Sequence, residues 1–295
     1  MAAAPGAPPV LIDHPMSMQR WSESQRQQGH TIALVPTMGA LHDGHLQLID
    51  LAHRVADVVV VSIFVNPLQF NRTDDFDTYP RPLDADIQCC ERRRVDAVFA
   101  PTPLAMYPPS FQTVVEPGDL AERFEGAGRP GHFQGMATVV NKLFNAVKPH
   151  TAIFGQKDAQ QLAIVRQMVA DFDMGIKIVA VPTIREVDGL AMSSRNRRLD
   201  ANHRRAAVCL SQGLSSAAKL WAAGERHSAL LGSIVQRAIA AEPLARVEYV
   251  EVVDPTTFLP ANAVIDDHRA LIVVAAWFDD VRLIDNWLSE PPTAS

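Results

Sequence analysis

The chain predicts an α/β fold, a Rossmann-like doubly wound parallel sheet followed by a smaller C-terminal α+β domain. Three observations carry this reading. From Thr31 to Val181 short apolar, β-branched runs alternate with stretches of helical periodicity. The runs are continuously apolar, the pattern of strands covered on both faces of a parallel sheet. After Pro182 the order changes to helices followed by strands, the pattern of a separate α+β layer.

The elements follow in order. Met1 to Pro9 is an alanine- and proline-rich lead-in without the basic residues and long apolar stretch of a secretory signal. Ile32–Val35 is the first predicted strand. Leu46, Ile49, Leu51, Ala52 and Val55 then recur at helical spacing, so a helix starts near His45. The alternation continues with a strand over 58–65, a helix around 83–94, a strand over 97–100, a helix around 136–147, a strand over 152–154, a helix over 157–171 and a strand over 176–181. Beyond a polar loop the pattern predicts one long helix over 201–223, a second over 228–241, and strands over 247–253, 270–277 and 281–285. The boundary is placed near Arg185, giving domains 1–185 and 186–295.

Composition narrows the function classes. The 295 residues are 47% hydrophobic, enough for sizeable cores, and carry a formal net charge of −6. That balance argues against a nucleic-acid partner, which needs a basic face. Glu91-Arg92-Arg93-Arg94 reads as solvated helix surface. The longest apolar run, Val58 to Val65, is too short to span a bilayer, so no membrane role is expected. Cys89, Cys90 and Cys209 have neither metal-ligand spacing nor the even count of a disulfide framework, which fits a reducing cytoplasm.

Ligands of doubly wound sheets bind at the carboxyl ends of the strands, and three segments follow predicted strands there. The first is Pro36-Thr37-Met38-Gly39-Ala40-Leu41-His42-Asp43-Gly44-His45. Free N–H groups and the positive dipole end of the following helix favour an anion, Gly39 and Gly44 admit close backbone approach, and His42 and His45 add donors. A metal is the weaker reading of the histidine pair, because no third ligand or Cys/His cluster lies near. The second segment is Asn66-Pro67-Leu68-Gln69. The third, Gly155-Gln156-Lys157-Asp158-Ala159-Gln160-Gln161, opens the next helix and puts Lys157 and Gln161 on one face. A fourth segment, Arg185 to Asn196, joins the two domains; Ser193, Ser194 and Arg195 suit either a clamp over a polyphosphate or a helix-capping linker.

Together these segments resemble the pantothenate synthetase family, which shares a His-Ile-Gly-His type turn and a Lys-Met-Ser-Lys-Ser type loop with class I aminoacyl-tRNA synthetases. The counterparts here are His42-Asp43-Gly44-His45 and Met192-Ser193-Ser194-Arg195. The likeness extends to Ile63 through Phe70, Tyr79-Pro80-Arg81, Arg129 through Gly135 and Asp188 through Asn196, in the family's order and over most of the chain. The turn and loop alone indicate the superfamily; Asn-Pro-x-Gln-Phe and Arg-Pro-Gly-His-Phe are specific to the narrower family.

The resemblance implies ATP-dependent condensation of pantoate with β-alanine through a pantoyl-adenylate, with Mg2+ accompanying ATP and the chain working as a homodimer. It implies catalytic roles for His45, the proton donor, and for His42 and Lys157. Met38, Gly39, Ala40, Leu41, His42, Asp43, Gly44 and His45 would line the ATP site, completed by Gly155, Gln156, Lys157, Asp158, Ile184, Met192, Ser193, Ser194 and Arg195. Gln69 and Gln161 would hold pantoate, Gln69 also lying near β-alanine, with Asn66 and His132 beside them. Asp86 matches an acidic family position that would assist the metal, set against the simpler reading of a helix-surface aspartate. The chain departs from the family at Gln156, where glutamate is usual, and at Ala159, where an aromatic is usual. His14, His30, His53, His150, His203, His227 and His268 carry no such context and read as surface or structural. Two other functions stand beside the ligase: another nucleotidyltransferase, or a non-catalytic nucleotide-binding module. A tRNA-charging role is disfavoured by the acidic balance.

Overall fold

The computed structural model describes residues 8–265 and 269–290. His268 and the start of the lead-in, residues 1–7, lie outside the described residues. The chain forms two compact units: residues 1–155 with 164–181, and residues 156–163 with 182–295.

The first unit is built on six parallel strands: β1 (Val10–Ile12), β2 (Ile32–Thr37), β3 (Val58–Ile63), β4 (Ala97–Phe99), β5 (Thr151–Gly155) and β6 (Lys177–Val181). Their order is β1-β4-β3-β2-β5-β6. From β2 the chain winds outward through β3 to β4, then returns to the other side of β2 for β5 and β6. The direction of winding therefore reverses between β2 and β5, where Ala33 pairs with Thr151, and doubly wound sheets bind ligands beyond the carboxyl ends at such a reversal. Val59, Val60 and Val61 are all 0% exposed, so consecutive side chains on opposite faces are both covered, as the unbroken apolar runs anticipated. The apolar run after Val58 leaves the sheet at Ile63, ahead of Asn66 and Pro67, whose ring nitrogen has no N–H for a ladder. Strand β1 and helix Pro15–Gln27 were not anticipated; the helix has proline at its start and takes its cap from the His14 side chain.

The second unit carries an antiparallel sheet of β7 (Arg246–Val253), β8 (Leu271–Phe278) and β9 (Val281–Leu288), in that order. Leu210, Leu214, Leu231, Val235 and Ile239 from two helices share one core with Ile272, Val274 and Ala276 of the central strand. The single helix expected over 201–223 is two, Ala201–Ala206 and Cys209–Ala222. Bonds of the i to i+3 kind, Val208 N–H to Arg205 O and Leu210 N–H to Ala207 O, tighten the chain between them. Among the described residues no helix is long and apolar enough to cross a membrane, and the three cysteines are free, Cys90 and Cys209 buried.

Candidate active site

Beyond β2 the chain reverses through two consecutive left-handed residues, Gly39 at φ +82° and Ala40 at φ +52°. Glycine is required at the first for a second reason as well. A Cβ on Gly39 would lie 2.9 Å from Asp86 Oδ2 and 3.0 Å from Ile63 Cγ2. Asp86 belongs to the first turn of helix Leu83–Arg92 and is only 3% exposed. Its two oxygens accept the Ala40 and Leu41 N–H groups, each at 2.8 Å. The expected helix-surface position of Asp86 is therefore corrected: it is a buried acceptor that holds the turn. Among the described residues no group of three or more His, Cys, Asp or Glu could hold a metal ion.

Other N–H groups of the turn are paired too. Gly39 donates to Thr37 Oγ1, whose hydroxyl donates to Ser62 O at 2.7 Å and so fixes the turn to β3. Helix Asp43–Val55 opens with a capping box made of imidazoles: Gly44 N–H donates to His42 Nδ1 at 3.1 Å and His42 N–H to His45 Nδ1 at 3.3 Å. Several of the backbone N–H groups expected to be free for an anion are thus engaged within the protein. The N–H groups of Gly39, Ala40, Leu41, His42 and Gly44 all have acceptors within the protein, which blunts the attraction that free N–H groups give a helix start. Because both Nδ1 atoms accept, the ring protons of neutral His42 and His45 sit on Nε2. The two rings lie 4.0 Å apart between centroids, tilted by 37°.

Gln69 ends the 3-10 turn Pro67–Gln69 beyond β3 and is mostly buried, 7% exposed. Its Nε2 lies 3.0 Å from Met38 Sδ, which brings the second segment to the first. Asn66 was expected beside the substrate, but it is 0% exposed and both ends of its amide bond to the protein. Oδ1 accepts the Tyr107 hydroxyl at 2.8 Å and the Leu68 N–H at 3.3 Å, while Nδ2 donates to Gln69 Oε1 at 3.1 Å and Gly135 O at 2.9 Å. His132 is 6% exposed and supports the same residue. Arg129 cannot accept, so its 3.1 Å contact makes His132 Nε2 the acceptor, and Nδ1–H donates to Gln69 O at 2.7 Å. Helix His132–Val147 sits close enough that a Cβ on Gly135 would fall 2.1 Å from Leu68 O. These contacts pack Asn66 and His132, both expected among the substrate-binding residues, against Gln69 as its supports.

Gly155 ends β5 in the first unit, and the second unit begins with the turn that follows it. The helix expected from Lys157 starts at Ala159, after a 3-10 turn Gln156–Asp158. The carbonyls of Gln156 and Lys157 explain the delay. Both accept from Asn286 Nδ2 of β9, at 3.0 and 2.9 Å, so side-chain bonds from a distant strand hold this turn. Lys157 Nζ lies 3.7 Å from Asp158 Oδ1. Gln161 is half-buried on helix Ala159–Asp171.

The expected clamp segment is a tight hairpin. Met192 N–H donates to Ile184 O and Glu186 N–H to Leu190 O, while Arg204 grips Glu186 and Asp188 at 2.6 Å each. The Arg204 guanidinium holds the Asp188 carboxyl below its ordinary value. At the base of the hairpin Arg185 pairs both nitrogens with Asp285, at 2.6 and 3.0 Å; burial pushes that carboxyl up while the guanidinium opposes the shift. Ser193 Oγ accepts the Arg195 N–H and caps the 3-10 turn Ser194–Arg198, the geometry of the capping alternative. Thr37, Tyr107 and Asn286 were missed by sequence reasoning. Each acts through hydrogen bonds to residues distant in sequence, Thr37 to Ser62, Tyr107 to Asn66 and Asn286 to Gln156 and Lys157, which leaves no local periodicity to read.

The family model described as pantoate-beta-alanine ligase matches residues 10–288. Pantothenate synthetase of Chlorobium chlorochromatii is 49% identical over 276 residues, covering 94% of this chain and 95% of the relative. That of Geobacter sulfurreducens is 48% identical, covering 94% and 97%. The crystal structure of pantothenate synthetase from Thermus thermophilus superposes with a TM-score of 0.86 at 40% identity over 94% of this chain and 98% of its own. Pantoate-beta-alanine ligase from Francisella tularensis, solved with beta-gamma ATP and beta-alanine, gives 0.77 at 34% identity over 95% and 97%. With a family model matching residues 10–288 and relatives near half identical over 94% of its length, this chain belongs to the pantoate–β-alanine ligase family.

Proposed function

We propose that the chain joins pantoate to β-alanine at the expense of ATP through a pantoyl-adenylate, with the first-unit turn and Gln69 as the centre of the reaction. The observation that carries the assignment of residues is the pairing of Gln69 Nε2 with Met38 Sδ, which sets an amide donor beside the histidine turn. The pantoate carboxylate attacks the α-phosphorus, and pyrophosphate leaves with the electrons of the broken P–O bond. The β-alanine amine then attacks the acyl carbon, loses a proton and displaces AMP. No enzyme nucleophile is required, since the substrate's own carboxylate becomes the activated group.

The residues contribute donors and position. His42 and His45 hold their protons at Nε2 and stabilise charge developing on phosphoryl oxygens, His45 also donating its proton. Lys157 adds a cation, with Gly155 to Asp158, Ile184 and Met192 to Arg195 completing the nucleotide site. Gln69 and Gln161 bind pantoate as neutral amides, which orient a carboxylate without quenching it as an ion pair would. In this reading residues 1–185 form the nucleotide- and pantoate-binding domain and 186–295 the smaller one, acting as a cytoplasmic homodimer. The described residues offer no ready protein cage for magnesium, and both Asp86 oxygens already take backbone N–H groups. The metal enters as a companion of the ATP phosphates, a common mode for Mg2+, and no step here is routed through it.

The test is pyrophosphate exchange into ATP. It is expected only with pantoate, and exchange indifferent to pantoate refutes the assignment. His45→Ala and Lys157→Ala should each slow single-turnover adenylation by roughly 10²-fold or more, the scale of losing a transition-state donor; near-normal rates would remove that residue from the chemistry.

A further inference from the structure

The hydrogen-bond direction around Gln69 is set from outside the substrate pocket. Asn66 Oδ1 receives two donors, the Tyr107 hydroxyl and the Leu68 N–H, so its NH2 must face the other way. There Nδ2 meets Gln69 Oε1 and Gly135 O, both of which only accept. With Oε1 bonded to Asn66, Gln69 is left presenting Nε2, and the thioether of Met38 that receives it is a weak acceptor. An incoming carboxylate or hydroxyl oxygen is a stronger acceptor and replaces the sulfur at a gain. Burial holds the Tyr107 hydroxyl well above the usual phenol range, so it remains a donor throughout the neutral and alkaline range.

We propose that Tyr107 and Asn66 are positioning residues of the ligase: they form a relay that locks the Gln69 amide with its NH2 toward pantoate. Neither residue touches the substrate. The inference rests on Gln69 being a pantoate ligand, and it adds that the polarity of this ligand is imposed by a hydroxyl two side chains away. Gly135 belongs to the relay through its carbonyl, and the missing Cβ there is what lets the helix approach Leu68.

Asn66→Asp is the diagnostic substitution, because it is isosteric and reverses the relay. A carboxylate at 66 cannot donate to Oε1, so the Gln69 amide turns over to donate to it and shows pantoate an oxygen. Steady-state kinetics of the full chain should then show the pantoate KM raised on the order of 10²-fold, with the KM for ATP within about twofold. Tyr107→Phe keeps the Leu68 and Gly135 bonds and should raise the pantoate KM by roughly 3- to 10-fold while the melting temperature falls by only a few degrees, the scale of one lost hydrogen bond. Should Asn66→Asp fail to fold, Tyr107→Phe carries the test alone. Gln69→Ala separates the two levels. If it raises the pantoate KM while Asn66→Asp and Tyr107→Phe do not, or if those variants move both KM values equally, the relay is overturned and the ligand reading stands. If Gln69→Ala leaves the pantoate KM untouched, the ligand reading falls and the relay falls with it.

Discussion

Replacing Gly39 by alanine tests the physical account of the nucleotide turn, because two separable costs meet at that residue. The first is conformational: at φ +82° a Cβ meets its own backbone, which costs roughly 1–2 kcal/mol. The second is contact with Asp86 Oδ2 at 2.9 Å and Ile63 Cγ2 at 3.0 Å, distances at which a neighbour has to move. The carboxylate is held by two N–H groups at 2.8 Å, so moving it weakens at least one hydrogen bond to a charged acceptor, about 1.5–3 kcal/mol. Gly39→Ala should therefore destabilise the chain by about 2.5–5 kcal/mol. Gly29 supplies the control, since it has the same φ of +82° with nothing within 4 Å of where a methyl group would sit. Gly29→Ala should show the conformational cost alone, about 1–2 kcal/mol. Urea unfolding followed by circular dichroism measures both. Asp86→Ala provides the second leg of a double-mutant cycle, and in its background the excess cost at Gly39 should shrink. Equal costs at Gly39 and Gly29, or an excess that survives loss of the carboxylate, would refute the reasoning.

Three further predictions follow from named bonds. His42→Ala should lower stability by about 1 kcal/mol through loss of the helix cap, whereas His42→Asn, whose side-chain oxygen can cap, should keep the stability and still lose the imidazole's share of adenylation; unfolding midpoints and single-turnover rates distinguish these effects. Asn286→Ala removes both bonds that hold the Lys157 turn, so adenylation should fall roughly 10-fold or more, the scale of sub-ångström to ångström misplacement, with a rate close to the parent's arguing that the turn is self-supporting. His150 accepts the Ile32 N–H at Nδ1, at 2.9 Å, and burial followed by the charge of Arg26 lowers its pKa from 6.5. The unfolded chain therefore takes up this proton more readily than the folded one. The stability from His150 is complete above about pH 6.5 and is lost as pH falls below it toward the folded pKa. His150→Asn, able to accept the same N–H, should flatten the decline in urea midpoint between about pH 7 and pH 5.5; an identical decline in parent and variant would contradict this.

The sheet was largely legible because burial on both faces writes itself into the chain as unbroken runs such as Val58 to Val61, and a strand-end turn announces itself by Gly39 next to a histidine pair. Helix ends were less so. The start at Ala159 depends on Asn286, and the break at Ala207 and Val208 depends on a local tightening that no apolar spacing records. Within the site, residue types at strand ends were readable but their bonding was not. Asp86 had the look of a solvated first-turn aspartate, since nothing in its neighbours Ala85 and Ile87 tells that a reverse turn distant in sequence presents two N–H groups to it. Asn66 was marked by its place beside Gln69, yet its sealed position depends on Tyr107 and Gly135, which sequence spacing cannot bring together.

Asn286 also has a consequence for how the protein is made. The turn bearing Lys157 leaves the ribosome well before the strand whose side chain bonds its carbonyls, so during synthesis those two bonds form last. The last strand thus acts as a completion signal. A chain interrupted before residue 286 can pair the strands of its first sheet and still lack the bonds that fix its lysine turn, which ties formation of that turn to nearly complete translation.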